Sequence, residues 1–223
     1  MDWYPLFNSL RIAMLATALV FFLGLGAAYY IARLPRACKA VLDVVLTLPL
    51  VLPPTVVGYF LLCLVGPRRP LGAWLATVGV QIVMSWPGAV LASAVVAFPL
   101  MYRTARGALE AFDPNLKYAG QTLGLSNTYI FWHITLPVCK NGMCAGTVLA
   151  FARALGEYGA TSMVAGYIPG RTATISTTVY QLWRTGDDAG AFRWVMVNLA
   201  ISVVVLGAVN LFENPKRARK TGK

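Results

Sequence analysis

Charged residues are scarce in this 223-residue chain: Lys, Arg, Asp and Glu together make up 12% of it, and only 8 residues are acidic. About a quarter of an ordinary soluble domain is charged. With 58% of its residues hydrophobic, the chain lacks the polar surface to face water on all sides. A single histidine, His133, rules out histidine-based metal or triad chemistry. The four cysteines, Cys38, Cys63, Cys139 and Cys144, imply no disulfide framework, and the last two stand five apart, which is not a metal spacing. No GxxxxGK[ST] loop occurs. The expectation is a chain with no catalytic residue, no metal site and no cofactor of its own. A nucleotide that drives it must sit on another chain.

Long apolar sequence is what the chain has in abundance. Runs at Ser9–Ala32, Ala40–Val65, Gly88–Tyr102, Gly142–Ala165 and Trp194–Phe212 are each near the ~20 residues a helix needs to cross a bilayer. The pattern predicts an all-α, polytopic membrane protein with about five transmembrane helices, forming one domain over residues 1–223. A further stretch, Leu71–Trp86, is short and interrupted by Gly72, Gly79 and Gln81, so it is expected to lie at the interface or to re-enter. The first run is too long for the core of a secretory signal and is expected to remain as the first helix. The formal charge of +11 reads as membrane orientation, because segments held in lipid cannot assemble a nucleic-acid surface. With the N-terminus outside, twelve Lys and Arg fall on the inner side and six on the outer, with Arg153 left inside a span. That excess favours an outer N-terminus and an inner C-terminus. The basic tail at 214–223 is expected to rest on anionic inner-leaflet lipid.

Three stretches are too polar or too broken for plain spans. "YAGQTLGLSNTYIFWHITLP", Tyr118–Pro137, lies in an inner loop at about 107–140. There "DPNLKYAGQTLG" suits a helix capped by Asp113, begun at Pro114 and stopped by Gly124, and Ser126 or Asn127 suits the cap of a second. Small residues at Ala119, Gly120 and Gly124 leave room for a partner surface; the alternative is a folded connector. "LPLVLPPTVVGY" puts Pro49, Pro53 and Pro54, followed by Thr55, inside a run, where each proline removes a helix hydrogen bond. Such a helix must bend or break, which forms either a pathway wall or a packing kink. In the fourth run Arg153, Glu157 and Thr161 recur every four residues as one polar stripe. Charges at that depth cost about 2.5–3.5 kcal/mol each on insertion scales, so the two ions should pair, to fix helix register or to meet substrate. Outside, "GYIPGRTATISTTVYQLW" is expected to hold a short helix from about Ala173, serving as a gate or as capped helix ends.

The loop's spacing resembles the cytoplasmic coupling motif of ABC importer permeases, in which EAA, three residues, Gly, nine residues, Ile-x-Leu-Pro recur. Tyr118, Ala119 and Gly120 stand at the EAA positions, followed by Gly124, Ile134, Leu136 and Pro137. Tyr118 replaces the family's acid and Gly120 its second alanine. "LPLVLPPTVVGY", "FPLMYRTARGALE" and "GTVLAFARALGEYGAT" are similar to stretches of the molybdate-importer permeases, with sulfate and tungstate permeases as near relatives. The resemblance implies a permease fold in a bacterial inner membrane. It implies a second copy of the chain around a central pathway, two ATPase subunits on the Tyr118–Pro137 loops, and an external oxyanion-binding protein. ATP would be used by those partners and the substrate moved by alternating access. Pro53, Pro54, Thr55, Arg153, Glu157 and Thr161 are the candidate pathway residues. An ion-coupled carrier with Arg153 and Glu157 as its proton site is the rival from another class.

Overall fold

A computed structural model describes residues 2–213, so the basic tail lies outside the described residues. Every regular element among them is helical: α1 (Tyr4–Ile31), α2 (Arg36–Val51), α3 (Pro54–Val65), α4 (Pro70–Thr77), α5 (Trp86–Glu110), α6 (Pro114–Thr122), α7 (Asn127–Ile130), a π-helical turn (Phe131–Thr135), α8 (Leu136–Leu155), α9 (Gly159–Val164), α10 (Ile175–Arg184) and α11 (Asp188–Glu213). Among the described residues four helical segments are long and apolar enough to cross a membrane, Tyr4–Ile31, Trp86–Glu110, Asn127–Leu155 and Asp188–Gly207. A fifth crossing is made if α2 and α3 count as one bent pair.

The core is a three-helix contact of α1, α5 and α8. Ala13, Ala16 and Ala28 of α1, Ala97, Met101 and Ala105 of α5, and Ala150 and Ala154 of α8 are all buried there. Small side chains let the helix backbones approach, which is what packs helices in a lipid surround. At Gly142 an added Cβ would lie 2.7 Å from the Ala108 Cβ, and at Gly146 one would lie 3.0 Å from the Thr104 Cβ. A second apolar cluster joins Val57 and Leu61 of α3, Ala92 and Val96 of α5, and Ala160 and Val164 of α9.

One end of the bundle is tied by polar groups that would be costly to leave unpaired in lipid. The Tyr4 hydroxyl donates to the Arg171 carbonyl at 2.8 Å, and Asn8 Nδ2 donates to the Ala173 carbonyl at 2.8 Å. Trp86 Nε1 donates to Asn8 Oδ1 at 2.9 Å, and the Ile175 N–H donates to Ser9 Oγ at 2.8 Å. Thr174 and Thr177 then form a capping box that starts α10 at Ile175, close to the expected Ala173. At the other end Tyr29 meets Phe131, ring centroids 4.6 Å apart, beside the polar loop. Thus α1 and α5 run from the tied end to the loop end, and α8 runs back.

Several span limits differ from the apolar runs, for physical reasons. α5 continues past Tyr102 to Glu110 because Arg106 and Glu110 pair along the helix, so charge ends the apolar stretch without ending the helix. α1 starts at Tyr4 because Pro5 sits in the first turn, where its missing N–H costs nothing. The run Ala40–Val65 is not one straight helix: the axes of α2 and α3 turn through 116° at Leu52–Pro53. Leu52 and Pro53 are extended (ψ 141° and 135°), because a residue before proline is driven out of the α region. Pro49, by contrast, stays inside α2 without ending it. The stretch Leu71–Trp86 runs from the eight-residue α4, too short to cross, through non-helical backbone to the first residue of α5.

Candidate functional site

Two backbone breaks meet in the fold. The first is the Leu52–Pro53 break between α2 and α3. The second falls at Gly156–Tyr158, where α8 stops and α9 begins after it. The run Gly142–Ala165 is therefore not one span, and the expected stripe of Arg153, Glu157 and Thr161 on a single helix is corrected. Arg153 lies in the last turn of α8, Glu157 lies in the break and Thr161 belongs to α9. Loss of the helical repeat at Gly156 removes the fixed angular relation that a four-residue spacing implies.

The breaks touch through glycine. A Cβ built on Gly159 would lie 2.9 Å from the Pro54 Cβ and 3.0 Å from the Thr55 amide nitrogen, so only hydrogen fits there. One turn along α3, a Cβ on Gly58 would lie 2.9 Å from the Ala160 Cα. The structure thus brings Pro54 and Thr55 against the segment that carries Glu157, Gly159 and Thr161. Pro53 and Thr55 are exposed at this junction, while Thr161 is buried and its hydroxyl has no partner among the described residues.

Arg153 and Glu157 do pair. Arg153 Nη1 lies 2.6 Å from Glu157 Oε2, and the Glu157 side chain is buried while Arg153 is part-exposed. Oε2 lacks a hydrogen bond of good direction, so the contact is chiefly charge on charge. The other oxygen, Oε1, accepts the Ala160 N–H at 2.7 Å. Glu157 therefore has two tasks, neutralising a cation and holding the first turn of α9. The pair carries no net charge, and Arg153 at the C-terminal turn of α8 suits the helix dipole.

The loop end holds the second set of candidate residues. Asp113 accepts the Asn115 N–H at 2.9 Å and Pro114 opens α6, as the sequence pattern requires. Gly124 has φ +76°, the Leu125 N–H donates to the Gly120 carbonyl at 3.1 Å, and the Gly124 N–H to Gln121 at 2.9 Å. Together these form a Schellman stop. Ser126 caps α7, accepting the Tyr129 N–H at 3.2 Å. Gly120 is buried, and an added Cβ would lie 3.0 Å from Ile130 Cγ1, which explains glycine where the motif has alanine. Ile134 contacts the same face.

The second short helix is present and runs on without a break into the next span. α7 passes through Phe131–Thr135 into α8, so Ile134, Leu136 and Pro137 lie on the continuous helix Asn127–Leu155. The π turn has a local cause: Pro137 has no N–H for the carbonyl four residues back, and the Leu136 N–H reaches Phe131 instead. The loop presents apolar side chains outward. Leu123 is 78% exposed, Tyr118 60% and Trp132 56%, and Ala119 and Pro137 are exposed with them. Tyr129 and His133 stack at 4.1 Å beside these.

Sequence reasoning missed a third cluster, built where α2 meets α5 near the loop. Arg106 pairs with Asp43 and, through Nε at 2.9 Å, with Glu110; Lys39 pairs with Glu110, and the buried Tyr102 hydroxyl donates to Asp43. The signal was present as Lys39 with Asp43 and Arg106 with Glu110, each four apart. Nothing local said that the two pairs face one another.

Known proteins resemble this chain in sequence and in fold. Residues 20–214 match the model of a family described as the binding-protein-dependent transport system inner membrane component. The molybdenum transport system permease protein ModB of Escherichia coli K12 is 44% identical over 207 residues, 92% of this chain and 90% of the relative. The sulfate transport system permease protein CysW of Synechocystis is 34% identical over 90% of this chain and 73% of its own. Among solved structures, an inward-facing form of the MetNI methionine ABC transporter superposes with a TM-score of 0.71 at 14% identity, covering 92% of this chain and 91% of that one. With a family match across most of its length and a permease relative at 44% identity, the chain belongs to the binding-protein-dependent transport system inner membrane components, the permease family of ABC importers.

Proposed function

We propose that this permease moves molybdate, by alternating access driven by a separate ATPase. The observation that carries the reading is the 44% identity to a molybdenum permease over nearly the whole chain. The weaker likeness to a sulfate permease makes sulfate, a dianion of the same tetrahedral shape, the second reading, with tungstate beside it. Two copies of the chain enclose the pathway, and an external binding protein delivers the oxyanion. Two ATPase subunits dock on the exposed side chains around Tyr118, Ala119, Gly124 and Pro137, with Gly120, Ile134 and Leu136 supporting that surface from behind. The junction of Pro53, Pro54 and Thr55 with Arg153, Glu157 and Thr161 lies on the pathway, where broken backbone is tolerated because it lines a cavity. The N-terminus faces outward and the tail inward, following the distribution of basic residues.

The test is uptake by proteoliposomes that hold the permease and its ATPase, supplied with the loaded binding protein. ATP-dependent molybdate uptake, lost together with ATPase co-purification in Gly124→Asp, is the expected result. The aspartate replaces a residue at φ +76°, so it strains the turn and puts charge on the docking surface. Uptake that persists without the ATPase overturns the reading in favour of an ion-coupled carrier. Sulfate taken up in preference to molybdate overturns the substrate assignment alone.

A further inference from the structure

We infer that Lys39, Asp43, Tyr102, Arg106 and Glu110 form the link through which movement of the α6–α7 loop reaches the broken helix α2, and so the Pro53–Gly159 junction. The inference rests on the transport reading above and adds positioning residues to it.

Away from this cluster α2 is weakly held. It has no buried residue along its 16 positions. Between its middle and the bundle lies a groove of about 590 Å³, lined on one side by Val45, Leu46 and Pro49 and on the other by α1 and α5. Apolar packing there rests on Leu46, which is only part-buried against the core, so it holds the helix loosely. The polar cluster does so at the start of α2, where Lys39 and Asp43 stand one turn apart. On α5 the partners Tyr102, Arg106 and Glu110 also stand at four-residue steps, on one face. Two cations and two carboxylates balance, with the Arg106 guanidinium between both acids. A fork of fixed donors gives that contact direction as well as attraction.

Position supplies the rest. Glu110 is the last residue of α5, and Asp113, the cap of α6, follows three residues later. The Cys139 thiol of α8 donates to the Ala108 carbonyl at 3.2 Å, so the same turn of α5 is also tied to the helix that leaves the loop. At its other end α2 runs into the Leu52–Pro53 break, and Pro54 rests on Gly159. A displacement of α6 thus moves the end of α5, the ion cluster moves the start of α2, and α2 acts as a rod on the junction. Rigid elements joined by a directional contact carry displacement where loose apolar packing allows slip.

The experiment compares Asp43→Asn, Glu110→Gln, their double and Asp43→Glu in the reconstituted complex of permease, ATPase and binding protein. Four quantities are read: ATPase co-purification, basal ATP hydrolysis, hydrolysis stimulated by loaded binding protein, and molybdate taken up per ATP. In Asp43→Asn and Glu110→Gln, docking and basal hydrolysis stay at the level of the unaltered complex. Uptake per ATP falls about tenfold, inside the usual range of coupling between sites. Asp43→Glu restores most of it, and the double is no worse than either single, because all act on one link. A second arm uses Lys39→Cys with Glu110→Cys in a chain whose own cysteines are serine. Uptake per ATP is low in the reduced protein and recovers when a short bis-maleimide joins the two sites, which a folding defect would not do. Normal uptake per ATP in the single variants, or no recovery on cross-linking, overturns the link. Absence of ATP-dependent uptake in the unaltered complex overturns the transport reading instead.

Discussion

The two ion clusters of this permease use the same chemistry in opposite ways. Arg153 in the last turn of α8 and Glu157 in the break just after it pair within one short segment, with the Glu157 side chain 1% exposed. Lys39, Asp43, Arg106 and Glu110 join two helices and keep 21–42% of their side chains exposed. A buried ion without its partner is expensive, so the first cluster is held together by the cost of separation. A part-exposed network already keeps some of its water, so the second costs less to open and holds its two helices by the direction of its contacts. The difference suits their places: one fixes the junction of the breaks, the other ties the start of α2 to the loop end of α5.

The largest test removes the buried pair's cation. Arg153→Met should lower stability in detergent by about 3 kcal/mol, the usual scale for stranding a buried charge. Glu157→Gln should cost less, because the amide oxygen still accepts the Ala160 N–H. The double variant should recover part of the Arg153→Met loss, and strictly additive losses in a thermal melt would break the contrast. Next comes the junction that this pair supports. Gly159→Val places carbon atoms against Pro54 and the Thr55 amide, and overpacking of this kind costs about 2 kcal/mol. A melt unchanged by that substitution would separate the two breaks.

Arg106→Met probes the other cluster and should cost about 1 kcal/mol, since its carboxylates remain partly hydrated. A loss as large as that of Arg153→Met would erase the difference between the two clusters. The smallest effect is that of salt. Raising ionic strength to about 1 M shortens the screening length to roughly 3 Å, which should weaken the α2–α5 network by a few tenths of a kcal/mol and leave the buried pair unaffected. The salt dependence of the melt should vanish in Asp43→Asn with Glu110→Gln and persist in Arg153→Met with Glu157→Gln.

What was legible in the sequence is what depends on neighbours along the chain. Apolar length set the crossings, proline pairs set the break at Pro53, and Asp113, Pro114 and Gly124 set the limits of α6, because each acts on backbone atoms within a few residues. The Arg153–Glu157 pair was visible for the same reason. The break at Gly156 was hidden, since small residues are also what a packed membrane helix carries, and an unbroken run looks the same. The π turn at Phe131–Thr135 was likewise masked, although Pro137 causes it.

Only tertiary structure decided which of these local features meet. Tyr102 reaches Asp43 across 59 residues and Lys39 reaches Glu110 across 71, separations over which no periodicity constrains one helix relative to another. The same holds for Gly159 beneath Pro54: each residue predicts an irregular backbone at its own position, and neither names the other. A helix reports its own faces through a 3.6-residue repeat, but which neighbour covers a face depends on packing, and packing is settled by shape and volume summed over the whole bundle.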